Sequence, residues 1–221
     1  MADRRFKYPL FGVLTVMWAV GVGYGLHQMY GYATTPGATA DAPRHLSEAT
    51  SLELDANTTH MLMFVHPQCP CTKASLRELE RLQATLNRTS LETVIIVMTG
   101  TDPQLQLDVG LGQLAQRMAN VRVIADADGQ IARQFRVYTS GHTLLYDQTG
   151  TLRFSGGITP SRGHEGDNQG RTLIRRIVLE DVRPANAATP VFGCPLIEID
   201  DHDKAALARR VEEEASSCCT P

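Results

Sequence analysis

The chain has too little cysteine to be a disulfide scaffold. Five cysteines occur in 221 residues, Cys69, Cys71, Cys194, Cys218 and Cys219, and their irregular spacing excludes a small stapled domain. Their odd number leaves at least one thiol unpaired within a monomer. An excess of charge is also missing. A formal net charge of −3 gives no electrostatic footing on a phosphate backbone, so no nucleic-acid partner is expected. No internal repeat is visible, which sets aside a repeat architecture. What is present is ordinary for a folded chain: 43% hydrophobic and 20% charged residues, enough apolar material for the core of one domain.

Charge is absent altogether from Leu10 to Leu26, which follows Arg4, Arg5 and Lys7 and has Tyr24, Tyr30 and Tyr32 near its far end. With its flanks this stretch is long enough to cross a bilayer, for which about 20 residues are needed. Positive charge before it and none soon after predicts a cytoplasmic N-terminus and an exported, periplasmic domain. The alternative is a cleaved signal peptide, because Ala38-Thr39-Ala40 has the small-x-small form, although that site lies far from the apolar centre. Residues 1–32 are thus read as a signal-anchor and 33–50 as a linker, with Thr34 to Pro43 rich in Gly, Pro, Ala and Thr. A globular domain is expected over 51–199 and a C-terminal helix and tail over 200–221.

Within the domain, strand and helix patterns alternate. Ser51–Asp55 is a candidate first strand, and Met61–Val65 is a short apolar run of the length of a buried strand. Leu76, Leu79, Leu82 and Leu86 then mark one face of a helix running to about Asn87. Thr93–Met98 is continuous and rich in β-branched residues, as in a buried parallel strand. A helix over Leu111–Met118, a strand over Val121–Ala125 and a short helix over Ile131–Phe135 follow. Thr143–Tyr146 and Leu152–Phe154 form a hairpin across Asp147-Gln148-Thr149-Gly150, and a helix covers Thr172–Leu179. This order predicts an α/β fold with a mixed central sheet flanked by helices. Asp203–Ala215 reads as a charged amphipathic helix, with Cys218 and Cys219 in a tail beyond it.

Chemistry concentrates at His66-Pro67-Gln68-Cys69-Pro70-Cys71-Thr72-Lys73, where a strand hands over to a helix. Unpaired backbone N–H groups and the positive dipole end favour thiolate there. Strand, Pro-Cys at a helix start, Lys73 and a leucine-faced helix resemble the thioredoxin-like superfamily. His66-Pro67 before Cys-Pro-Cys resembles, within it, the membrane-anchored RedB-type proteins, with more distant similarity to TlpA-like, peroxiredoxin-like and Sco-like domains. The usual Cys-x-x-Cys is absent. In one register Pro70-Cys71 matches the family's Pro-Cys and Gln68 takes the nucleophile position. In a peroxiredoxin-like register Pro67-Gln68-Cys69 matches and Cys69 is the reactive thiol. Both registers stay open.

The resemblance extends further along the chain. Asp126-Ala127-Asp128-Gly129 is similar to the segment that precedes the loop facing the cysteines. That loop reads Ser140-Gly141-His142-Thr143, so His142 stands where the superfamily has a cis-proline; a trans peptide is expected, since a non-proline cis bond costs about 3 kcal/mol. The Gly-rich segment from Ser155 to Asn168, with Val191-Phe192-Gly193-Cys194-Pro195-Leu196, resembles the RedB pattern. His164 and Glu165 are read as polar loop residues.

These observations support thiol–disulfide exchange with protein thiols or disulfides as partners and no cofactor. Cys69 and Cys71 are the expected redox pair, since a disulfide across one residue closes an awkward ring of the labile, oxidising kind. The resemblance places His142 opposite them as general base or thiolate stabiliser. His66, Pro67, Pro70, Gly141 and Thr143 would shape the substrate loop. Cys194 is a candidate resolving partner or a buried apolar residue. The alternative is a Sco-like metal carrier, with Cys69, Cys71 and His142 as ligands for copper or zinc. A third reading is a redox-sensing interaction module without turnover.

Overall fold

The computed structural model describes residues 4–48, 52, 54–55, 57–86, 91–100, 107–184 and 187–198. It comprises two units, Met1–Thr35 and Pro36–Pro221. The first is one helix, α1 (Arg4–Thr34). Over Leu10–Thr34, 25 residues, it is long and apolar enough to cross a membrane, and large side chains such as Phe11 and Trp18 are exposed.

The second unit is built on a six-stranded mixed sheet. Its elements are β1 (Thr59–Val65), α2 (Thr72–Leu86), β2 (Leu91–Thr99), α3 (Gly110–Gln116), β3 (Val121–Ala127), α4 (Gln130–Gln134), β4 (Thr143–Tyr146), β5 (Leu152–Gly156), α5 (Gln169–Glu180) and β6 (Ala188–Thr189). The strand order is β3-β2-β1-β4-β5-β6. β1, β2 and β3 run parallel, β4 pairs antiparallel with both β1 and β5, and β6 is parallel to β5.

β1 is apolar throughout because both of its faces are covered. Met61, Met63 and Val65 enter one cluster with the α2 leucines and Ile174 of α5, while Leu62 and Phe64 enter another with Phe135, Tyr138 and Leu196. The expected helices and strands therefore lie within a few residues of their predicted bounds, and the α/β class with a mixed sheet is as expected. β6 has no counterpart in the sequence reading: two residues carry no detectable period. Of the candidate strand at 51–55, the described residues Leu52, Leu54 and Asp55 are not in a strand, and the leucines pack against the second cluster instead. The expected C-terminal helix, Cys218 and Cys219 lie outside the described residues.

Residues 36–43 are not a free tether. The Gly37 N–H donates to Val191 O at 2.8 Å, Thr139 Oγ1 donates to Ala38 O at 2.9 Å, and Tyr146 OH donates to Pro43 O at 3.0 Å. The small residues that look like a linker are what allow this approach: a Cβ on Gly37 would meet the Thr139 side chain at 2.4 Å.

Candidate thiol site

Cys69 and Cys71 lie in the turn between β1 and α2. The Cys69 N–H donates to His66 O at 3.1 Å, and the Thr72 N–H donates to Cys69 O at 3.2 Å. The turn thus winds into the helix with both sulfurs on its inner side. Cys69 is 1% exposed and Cys71 7%.

Two further segments close over the turn. Tyr138–Thr143 returns beside the end of β1, where Gly141 N–H donates to Phe64 O at 2.7 Å and Phe64 N–H donates to His142 O at 3.0 Å. Gly141 has φ +88°, which favours glycine, and a Cβ there would meet Ser75 Oγ of α2 at 2.8 Å. The second segment pairs with the first: Ser140 N–H donates to Cys194 O at 2.9 Å and Leu196 N–H donates to Tyr138 O at 2.8 Å. Gly193 sits against Ser140 O so closely that a Cβ would lie 1.9 Å from it. This pairing brings Cys194 to Cys69, 125 residues away in sequence, and the Cys194 N–H donates to Cys69 Sγ at 3.4 Å.

The three thiols are electrostatically unequal. Burial alone would push the Cys69 thiol up. Hydrogen bonds from the Thr72 side chain, the Cys194 thiol, and the backbones of both residues outweigh burial and bring it below its ordinary value. Cys71 is pushed up by burial and by the negative charge of Cys69, with Arg162 opposing. Cys194 is pushed up to about 12 by burial, by its hydrogen bond to Cys69 and by the charges of Cys69 and Cys71. One thiolate, at Cys69, is therefore favoured between two protonated thiols.

The hydroxyls behind Cys69 are arranged to donate. Ser140 Oγ accepts the His66 N–H at 2.8 Å and lies 2.7 Å from Thr72 Oγ1. With Ser140 directing its proton to Thr72, the Thr72 hydroxyl donates to sulfur. Arg162 reaches in from the Gly-rich loop, bonding Gly193 O at 2.6 Å and the Cys71 thiol. That loop is clamped from below: Glu78 of α2, fully buried, accepts from Gly166 N–H at 2.9 Å and from Arg171 of α5, and pairs with Arg81. Thr72, Ser140 and Arg162 were not singled out from the sequence. Thr72 beside the motif and Ser140 beside Gly141 carried a positional signal; Arg162 had none.

The other expected site residues fall as follows. His66 is half-buried, its basicity lowered by burial, and Nδ1 accepts the Gln68 N–H at 3.2 Å. Pro67 and Pro70 form the outer wall of the turn. Thr143 is buried at the start of β4. The peptide before His142 is trans. Its imidazole points to β5, where Nε2 meets Ser155 Oγ at 2.9 Å, and Nδ1 is buried without a partner. Burial lowers its pKa to about 3, so it is neutral at physiological pH and makes no hydrogen bond to a thiol. The expected cation beside the thiolate is replaced by neutral hydrogen-bond donors. Among the described residues no three of His, Cys, Asp and Glu are grouped to hold a metal ion, and the donor set Cys69, Cys71 and His142 does not converge.

A parallel three-strand half joined to an antiparallel hairpin, with a cysteine motif between β1 and α2, defines a thioredoxin-like fold. Among solved structures, the chain is similar to an uncharacterized conserved protein from Geobacillus kaustophilus, with 17% identity over 76% of this chain and 94% of that one and a TM-score of 0.54. It is similar to a hypothetical protein from Sinorhizobium meliloti 1021 at 17% identity over 74% and 94%, TM-score 0.50. The thioredoxin domain of a thiol-disulfide oxidoreductase from Bacteroides vulgatus matches at 12% identity over 66% and 99%, TM-score 0.41. At these identities the likeness to the first two is one of fold. No protein-family model and no curated protein matches the chain.

Proposed function

We propose that the protein performs thiol–disulfide exchange, with Cys69 as the attacking thiolate and Cys194 as the resolving thiol. One observation carries this reading: the Cys69 sulfur, its pKa lowered, accepts the Cys194 N–H at 3.4 Å and the Cys194 thiol proton. The Cys69 thiolate attacks one sulfur of a substrate disulfide. A Cys69–substrate S–S bond forms, the substrate's own S–S bond breaks, and its second sulfur leaves as thiolate. Cys69 then carries no charge and accepts no thiol proton, so two of the influences that held Cys194 protonated are gone while Arg162 stays. Cys194 gives its proton to the departing thiolate and attacks Cys69 Sγ. A Cys69–Cys194 disulfide forms and the first substrate sulfur leaves. The substrate gains two electrons and the cysteine pair loses two; a dithiol protein restores it.

Cys71 is in this reading a protonated neighbour rather than the partner, since a disulfide to Cys69 would close across a single residue. His142 transfers no proton; it holds the facing loop through its carbonyl. The apolar α1 helix, with Arg4, Arg5 and Lys7 ahead of its uncharged span, supports a membrane anchor with the domain on the extracytoplasmic side, where disulfides persist. Together with the His66-Pro67 and Cys-Pro-Cys motif, this supports a RedB-type reading of the chain.

The test is reduction of bis(2-hydroxyethyl) disulfide by the reduced full chain in detergent. Wild type should release thiol with one disulfide consumed per chain, and Cys69→Ser should lower the rate by at least about 100-fold. Wild-type activity in Cys69→Ser would overturn the reading.

A further inference from the structure

Beside the motif lies a groove of about 410 Å³ between the β1–α2 turn and α3. Cys69 forms part of its wall, whereas Cys71 and Cys194 do not. Cys69 therefore borders the groove and is also contacted by the Cys194 N–H and thiol, which lie outside it. Exchange at sulfur proceeds with attacking, central and leaving sulfurs roughly in line. The groove is thus where the substrate sulfur would bond to Cys69 and from where it would leave as Cys194 attacks.

The lining of the groove sets what fits. Pro67, Leu111 and Leu114 give it an apolar floor, and each is half-buried. Lys73, from the first turn of α2, and Arg117, just beyond α3, stand on its rim, both exposed. Among the described residues neither side chain has a hydrogen bond or ion pair, and no carboxylate lines the groove. Elsewhere in the domain Arg77, Arg81, Arg136, Arg153 and Arg171 are each paired with an acid. Two unpaired cations beside an apolar floor and a thiolate form a complementary surface for a negative, partly apolar chain.

We propose that this groove docks an extended protein segment in which the exchanging cysteine is flanked by an apolar residue and by acidic residues. The proposal rests on the exchange reading above and names its substrate class. The apolar neighbour covers Leu111 and Leu114, the acidic side chains pair with Lys73 and Arg117, and the substrate disulfide is brought to Cys69 for the attack already described.

The test uses the reduced full chain in detergent and disulfide-linked dimers of blocked Leu-Cys-Glu-Glu, Leu-Cys-Gln-Gln and Leu-Cys-Lys-Lys peptides, with glutathione disulfide and bis(2-hydroxyethyl) disulfide alongside. The Glu peptide should be reduced roughly 5-fold faster than the Gln peptide, as expected for two exposed charge pairs, and the Lys peptide more slowly still. The preference should shrink in 1 M salt, where screening acts within about 3 Å. Lys73→Glu with Arg117→Glu should invert the Glu-to-Lys rate ratio. Equal rates for the three peptides, while bis(2-hydroxyethyl) disulfide is reduced, would overturn the groove assignment and leave exchange standing. Glutathione disulfide reduced as fast as the Glu peptide would overturn the claim of a protein segment. No reduction of bis(2-hydroxyethyl) disulfide would remove the exchange reading and this proposal with it.

Discussion

The pKa of a sulfur buried to 1% exposure is lowered when donors surround it, and Cys69 has them in Thr72, the Cys194 N–H and the Cys194 thiol. The donors are neutral, so the site's charge state does not depend on a titrating histidine. His142, the residue that the sequence offered for that task, has instead a pH effect on folding. Its pKa is about 3 in the folded chain against an ordinary 6.5. Between those values the unfolded chain binds a proton that the folded chain does not, so its contribution is complete above pH 6.5 and is lost as pH falls toward 3. The loss is on the order of 4 kcal/mol over that window. Urea titrations of wild type and His142→Gln should therefore show a stability gap that narrows progressively below pH 6.5. Parallel curves would mean that the ring is not held neutral.

Between elements, the decisive tie is the one that Glu78 makes from α2 to α5 and to the loop before it. Its carboxylate is fully buried and is held by Arg171, 93 residues on, by the half-exposed Arg81 and by the Gly166 N–H. Arg171→Ala should destabilise the fold by about 3 kcal/mol, because the buried carboxylate loses the more buried of its two counter-ions and keeps only the half-exposed Arg81, and should expose the Gly-rich loop to proteolysis. A change below about 0.5 kcal/mol, the size of an ordinary surface substitution, would show that Glu78 does not need it. Nothing local marks Glu78 as buried: it sits among Arg77, Glu80 and Arg81 on what reads as the polar side of a helix. Elements with a sustained hydrophobic pattern, β1, β2 and α2, were legible because local period and tertiary burial agree. β6 and the ordered 36–43 segment were not, because short runs and small residues look the same bound or free.

At the scale of the molecule, the chain divides into an apolar helix and a thioredoxin-like domain, and both were readable from where charge and apolar runs fall. The site was readable in part. Cys69, Cys71, Gly141 and Thr143 stand at a strand–helix junction and its facing loop, positions that local pattern can locate. Cys194 was visible as a candidate, but its approach to Cys69 depends on pairing of Cys194 and Leu196 with Ser140 and Tyr138, a long-range contact with no local signature. Arg162 reaches the Cys71 thiol from a loop that Glu78 also bonds, at Gly166. Residues of the proposed site were thus legible where one segment carries them, and not where three segments must meet.

The pairing of Cys69 is the most direct point of attack on this account. The full chain, oxidised with one equivalent of a mild disulfide and trapped by alkylation at acid pH, can be digested and its cross-linked peptides mapped by mass. The account predicts that Cys69 is joined to Cys194 and that Cys71 is alkylated. A Cys69–Cys71 linkage with Cys194 alkylated would contradict it and return the redox pair to the Cys-Pro-Cys motif alone.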